Sequence, residues 1–237
     1  MIRAQAWWEL RALLRNGEQL LVTFLLPILA LVVLLEFTAL NIGSPRTTVA
    51  LAGCLAMGVI AAAFTSQAIM IAFDRRWGVL RMLSTTPLGP RGLLWGKAIA
   101  VVVLLALQIT LLLLVATWRG AWQPPPMASM ITAIVVIGLG ALSFVACAMA
   151  LGGTLRAEAV LAFANIAFVL MVSAGGVLLP LGDSLGAVLM RYTPWGALGE
   201  GLREALLGNI PVVEMVVQAA WALVLGMVAM RVFRWRS

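Results

Sequence analysis

Six uninterrupted apolar runs constrain this chain more than any other feature. They cover residues 20–40, 48–73, 93–118, 127–153, 159–181 and 210–230. As α-helix, about 20 apolar residues cross the ~30 Å hydrocarbon core of a bilayer. The runs are continuous rather than alternating, which excludes the ~10-residue pattern of β-barrel strands. Composition agrees, with 63% apolar and only 11% charged residues, where soluble domains carry about 25% charged. The chain therefore reads as an all-α polytopic membrane protein, a single domain over residues 1–237 with six transmembrane helices. The first run follows a long helical preamble and precedes no small-x-small cleavage site, so it reads as a retained span rather than a signal peptide.

The net charge of +7 could suggest a nucleic-acid partner, but the basic residues sit in gaps between apolar runs. Topology explains that distribution better than a nucleic-acid surface. Six spans place both ends on one side. That side holds twelve basic residues: Arg3, Arg11, Arg15, Arg75, Arg76, Arg81, Arg91, Lys97, Arg156, Arg231, Arg234 and Arg236. Arg46, Arg119, Arg191 and Arg203 are the four on the other. Both termini are expected to be cytoplasmic. The chain has no His, which removes the commonest metal ligand and acid–base group. Cys54 and Cys147 lie inside apolar runs and read as buried small residues, so neither a metal site nor a catalytic residue is expected.

Two of the segments outside the runs read as amphipathic. Residues 1–19 form an interfacial helix: Ala4, Trp7, Leu10 and Leu14 share one face, with Glu9, Arg11, Arg15 and Glu18 opposite. Trp7 and Trp8 would sit at headgroup level, with Arg11 and Arg15 beside them. Residues 182–208 contain two short outer helices that dip into the outer leaflet or lie on it. Thr193-Pro194 is an N-cap followed by a first-turn proline. Trp195, Leu198, Leu202 and Leu206 then form one face, Glu200, Arg203 and Glu204 the other, and Gly208 the stop.

The third segment, FDRRWGVLRMLSTTPLGPRGLLWGK at residues 73–97, carries six charges. Burying six charges in a bilayer would cost on the order of 18 kcal/mol on a translocon-insertion scale, so the segment stays outside it. Gly92-Leu93-Leu94-Trp95-Gly96-Lys97-Ala98 resembles a phosphate loop only superficially. The glycines are one residue too close, and Ala98 stands where Ser or Thr must hold Mg²⁺. Gly92 and Gly96 read as a small-xxx-small packing face instead. Within residues 74–90, Trp77, Leu80 and Leu83 recur along a short amphipathic helix from Asp74 to Leu83. Thr86-Pro87 and Gly89-Pro90 then form an elbow into the third run. The helix reads as a docking element for a cytoplasmic partner.

Asp74-Arg75-Arg76-Trp77-Gly78, Leu80-Arg81-Met82-Leu83, Thr86-Pro87-Leu88 and Gly96-Lys97 together resemble the signature of ABC-2 type (type V-like) transporter permeases. Pro194, Glu200, Leu202-Arg203 and Gly208 are similar to that family's motif before its last span. Arg76 and Arg81 stand where the family often carries Glu. The resemblance implies two permeases, identical or related, above two ATPase subunits that hold ATP and Mg²⁺; this chain would bind no cofactor itself. Asp74, Arg75, Arg76, Trp77, Leu80, Arg81, Leu83 and Pro87 would form the ATPase-coupling element. Substrate would pass between the permeases along the first, second and fifth spans. The expected location is the bacterial inner membrane.

Polar residues inside the runs are candidates for that path. Glu36 is embedded about one turn from the outer end of the first run, and Glu214, in the first turn of the last run, makes that run the weakest. Gln67 and Asn165 are further candidates, while Thr65, Ser66, Gln108, Thr110 and Ser173 more simply bond between helices. The sequence thus supports the membrane subunit of an exporter of amphipathic drugs, lipids or glycolipids. The alternative is a secondary transporter or channel that needs no ATPase.

Overall fold

A computed structural model describes residues 2–37, 39, 42–79, 82, 89–182 and 184–232. No strand occurs among the described residues. The helices are α1 (Ile2–Arg15), α2 (17–36), α3 (Arg46–Arg76), α4 (Gly89–Gly120), α5 (Met127–Gly152), α6 (Ala157–Ala174), α7 (Leu185–Arg191), α8 (Pro194–Leu206) and α9 (Val212–Val232).

Four described helices are long and apolar enough to cross a membrane: α3, α4 from Gly96 onward, α5 and α9. The first and fifth runs form shorter apolar helices, Leu21–Glu36 and Ala157–Ser173. Each stops for a local reason. The first ends beside Phe37, whose backbone leaves the helical region at ψ 83°. The fifth ends at Gly175, and Gly176 adopts φ +69°, a conformation glycine takes without Cβ strain. Residues 177–181, expected to be helical, are therefore non-helical.

The second run is the centre of the molecule. Along α3, 89% of the apolar window is buried, against 33% for α4 and α5 and 17% for α9. Its sequence explains this: Ala50, Ala52, Cys54, Ala56, Ala61, Ala62, Ala63, Ala68 and Ala72 are all buried. Small residues let neighbouring backbones approach closely, the source of helix association in lipid. Around α3 pack α2, α4, α5, α6 and α8, while α9 lies along α5 and α1 along α4.

Two turns of π-helix interrupt the first two apolar helices, at Leu21–Leu25 and Ile60–Ser66. The first abuts Pro27, which has no N–H for the carbonyl four residues back, so the ladder must loosen there. The two π turns pack together, with Thr23 Oγ1 3.4 Å from Ser66 Oγ.

Local chemistry sets the other boundaries. α3 runs to Arg76 and stops at Trp77-Gly78, with Gly78 at φ +71° as in a left-handed C-terminal cap. Asp74, Arg75 and Arg76 therefore end the second long helix, and the break falls later than the Asp74 start expected for a separate docking helix. Gly89 and Pro90 already belong to α4 and do not form part of an elbow before it. Thr193 caps α8 as its sequence indicates, accepting from Gly196 N at 3.1 Å, with Pro194 in the first turn.

Candidate functional site

Three charged side chains from three helices meet where α3 ends. Lys97 Nζ on α4 lies 2.7 Å from Asp74 Oδ2 and 2.9 Å from Glu9 Oε2 on α1. Gln5 Nε2 donates to the other Glu9 oxygen at 2.9 Å. All three charged residues are buried. Charges removed from water persist only when paired and hydrogen-bonded, so the lysine and the two acids hold one another in place.

This arrangement corrects the expected place of Glu9, which reads in the sequence as part of the first helix's polar face. Glu9 lies on its packed face together with Ala6, while Trp7 and Trp8 are exposed at 66% and 57%. Arg11 and Arg15 are exposed beside them. Close passage of α1 over α4 explains the glycine before Lys97. A Cβ on Gly96 would stand 2.7 Å from Gln5 Cγ.

The arginines that follow Asp74 reach in a different direction. Arg75 donates to the carbonyls of Gly153 and Leu155, in the turn between α5 and α6. Arg76 pairs with Glu158 in the first turn of α6. Asp74, Arg75 and Arg76 thus join the end of α3 to α1, α4 and the α5–α6 turn. Beyond them Trp77 is 70% exposed, with its ring 5.2 Å from that of Phe73. Leu80, Arg81, Leu83 and Pro87 lie outside the described residues.

At the opposite end of α3, a second polar cluster supports the non-helical segment after α6. Arg203 on α8 donates to Val177 O at 2.6 Å and to Glu200 Oε1 at 2.8 Å. The same carboxylate oxygen accepts from Leu181 N at 2.9 Å. One ion pair on α8 therefore satisfies both a carbonyl and an N–H of irregular backbone, groups that cost free energy when buried unpaired. Sequence patterning places Arg203 on a polar face; it is in fact buried. Burial lowers its pKa from the ordinary arginine value, and Glu200 opposes that shift.

Further polar ties anchor α9. Glu214, an anomaly in an apolar run, is buried and pairs with Arg191 Nε at 2.9 Å. Gln218 is fully buried, accepts from Ser143 Oγ at 2.9 Å and donates to Pro194 O at 2.5 Å. Trp221 Nε1 donates to Tyr192 O at 2.9 Å.

The candidate path residues have different surroundings. Glu36 is exposed and lies 3.5 Å from Arg119 at the ends of α2 and α4. Gln67 is buried in α3. Asn165 is half-buried on α6 and lines a small cavity with Asn16, Gln19, Thr65 and Ser66. Glu9 and Gln19 were missed as site residues because helical spacing places neither in a motif. Their signal was a single acid and a single amide near apolar runs.

Apolar helices of this length define an integral membrane protein. The ABC-2 type transporter family matches residues 2–199, and the chain belongs to that family. The match includes α1 through α7 and the start of α8, and stops before α9. It makes the chain an ABC transporter permease. No curated protein and no solved structure matches the chain significantly.

Proposed function

We propose that this permease is the membrane half of an ATP-driven exporter of amphipathic drugs, lipids or glycolipids. Two permease copies, or this chain and a related one, stand over two ATPase subunits that bind ATP and Mg²⁺. Six apolar helices, two of them short, then cross the bacterial inner membrane with both termini cytoplasmic. Trp7, Trp8, Arg11 and Arg15 lie at the lipid headgroups, and the chain after Arg76 meets the ATPase.

The observation that best supports coupling at that point is the clamp of Asp74, Lys97 and Glu9. A push on the chain after Arg76 reaches the end of α3 directly. From there buried ion pairs pass it to α4 and α1, while Arg75 and Arg76 pass it to the α5–α6 turn and α6. Packed elements joined by buried charge pairs move together, because separating them strands a charge.

Gentle extraction from native membranes tests the reading. One nucleotide-binding subunit per permease, together with ATP-dependent outward flux in vesicles, is the expected result. Recovery of the permease alone, with gradient-driven flux and no ATP requirement, would favour a secondary transporter or channel.

A further inference from the structure

Where α2, α3 and α6 meet, a cavity of about 20 Å³ is lined by Asn16, Gln19, Thr65, Ser66, Ile69 and Asn165, among others. That is room for a single water, which needs about 10–15 Å³ of such space. Two buried polar atoms in its lining residues have no hydrogen-bond partner, Gln19 Oε1 and Thr65 Oγ1. The bonds around them are long: Gln19 Nε2 to Ser66 O and Thr23 Oγ1 to Ser66 Oγ are both 3.4 Å. Buried polar groups left in this state call for a guest that can donate and accept.

The walls restrict what that guest can be. Among the described residues lining the cavity, every polar side chain is an amide or a hydroxyl and none is charged. The π turns of α2 and α3 adjoin it, where backbone departs from regular helix as it often does at functional sites. The cavity is partly open, with exposed Asn16 and half-buried Asn165 among its lining residues.

The geometry points to a neutral hydroxyl-binding site in this cavity. One water fills it at rest, and a hydroxyl of a bound amphiphile replaces that water. A hydroxyl reproduces the water's donor and acceptor bonds. A quaternary ammonium can do neither and loses hydration against an uncharged wall. The assignment of that amphiphile as transported cargo rests on the exporter reading; the binding chemistry does not.

The test reads binding without nucleotide, so it is independent of ATPase coupling. The complex is purified with its native partners, placed in nanodiscs and titrated with two tritiated probes of equal chain length. One is 1-monolauroylglycerol, with two hydroxyls and no charge; the other is dodecyltrimethylammonium. Thr65→Val and Gln19→Leu should each weaken glyceride binding about tenfold and leave the cation unchanged. Thr65→Ser, which keeps the hydroxyl, should retain wild-type affinity. If Thr65→Val does not insert, Asn165→Leu carries the same expectation. Absent glyceride binding, equal loss for both probes, or unchanged glyceride affinity in the variants would overturn the site. The exporter reading would stand in each of those cases if ATP-dependent flux is present.

Discussion

Lys97 Nζ lies 2.7 Å from Asp74 Oδ2, joining the last turn of α3 to α4 across 23 residues of chain. Glu9 completes the contact from α1 at 2.9 Å. Both acids depend on the one lysine.

Removal of that lysine is the most direct test of the clamp. Lys97→Met should destabilise the protein by about 3–5 kcal/mol, the usual cost of stranding a buried charge partner. Replacing Glu9, Asp74 and Lys97 together by Gln, Asn and Met should recover most of that loss, since no charge is then left unpaired. Thermal unfolding of the purified protein distinguishes these outcomes. An unaltered midpoint in Lys97→Met would contradict the buried pairing.

Coupling and stability should separate under these substitutions. The triple neutral variant keeps its helices packed but loses the charged link between α1, α3 and α4. Under the exporter reading, it should hydrolyse ATP with reduced transport per ATP, measured as the flux-to-hydrolysis ratio in vesicles. A wild-type ratio would count against the clamp as a transmission element.

Two glycines should respond differently to the same methyl group. At Gly96 a Cβ would meet the Gln5 side chain at 2.7 Å, and that side chain can move. At Gly53 it would meet the backbone oxygens of Leu178 and Val177 at 2.6 and 2.9 Å, and those cannot. Gly53→Ala should therefore cost about 1–3 kcal/mol of overpacking strain, and Gly96→Ala clearly less. Comparison of the two unfolding midpoints checks the order.

Arg203 supports backbone as well as pairing with Glu200. Arg203→Met leaves Val177 O without its donor and Glu200 without its cation, with a loss of about 3–5 kcal/mol. Arg203→Lys keeps the charge but loses the fork that reaches two acceptors, so it should recover only part of the stability. Full recovery by lysine would show that charge alone matters there.

Trp77 is the exposed aromatic beyond the end of α3. Under the exporter reading, Trp77→Asp should leave insertion and folding intact while abolishing ATP-driven efflux and weakening recovery of the ATPase. Unchanged efflux in that variant would remove Trp77 from the coupling surface.

Much of the architecture follows from sequence alone. Apolar runs of about 20 residues have few alternatives to membrane helices, and Thr193-Pro194 marks a helix start by local backbone chemistry, whereas Gly78, read inside a helix, ends one. The short fifth helix was less legible. Residues 177–181 are as apolar as the helix before them; beyond the break at Gly175-Gly176, bonds to Arg203 and Glu200 and a close approach to Gly53 hold their irregular backbone.

The sequence by itself determined a helical membrane protein with charged segments between its runs, because hydropathy and capping act over a few residues. Only the tertiary structure decided which charges would be buried partners. Glu9 and Arg203 read as solvated faces, and Glu214 as an acid in an apolar run, until Lys97, the Val177 carbonyl and Arg191 were brought to them from other parts of the fold. Periodicity gives a residue's angle around its own helix. A buried charge is tolerated only where a distant partner meets it, and that meeting is made by the packing around α3.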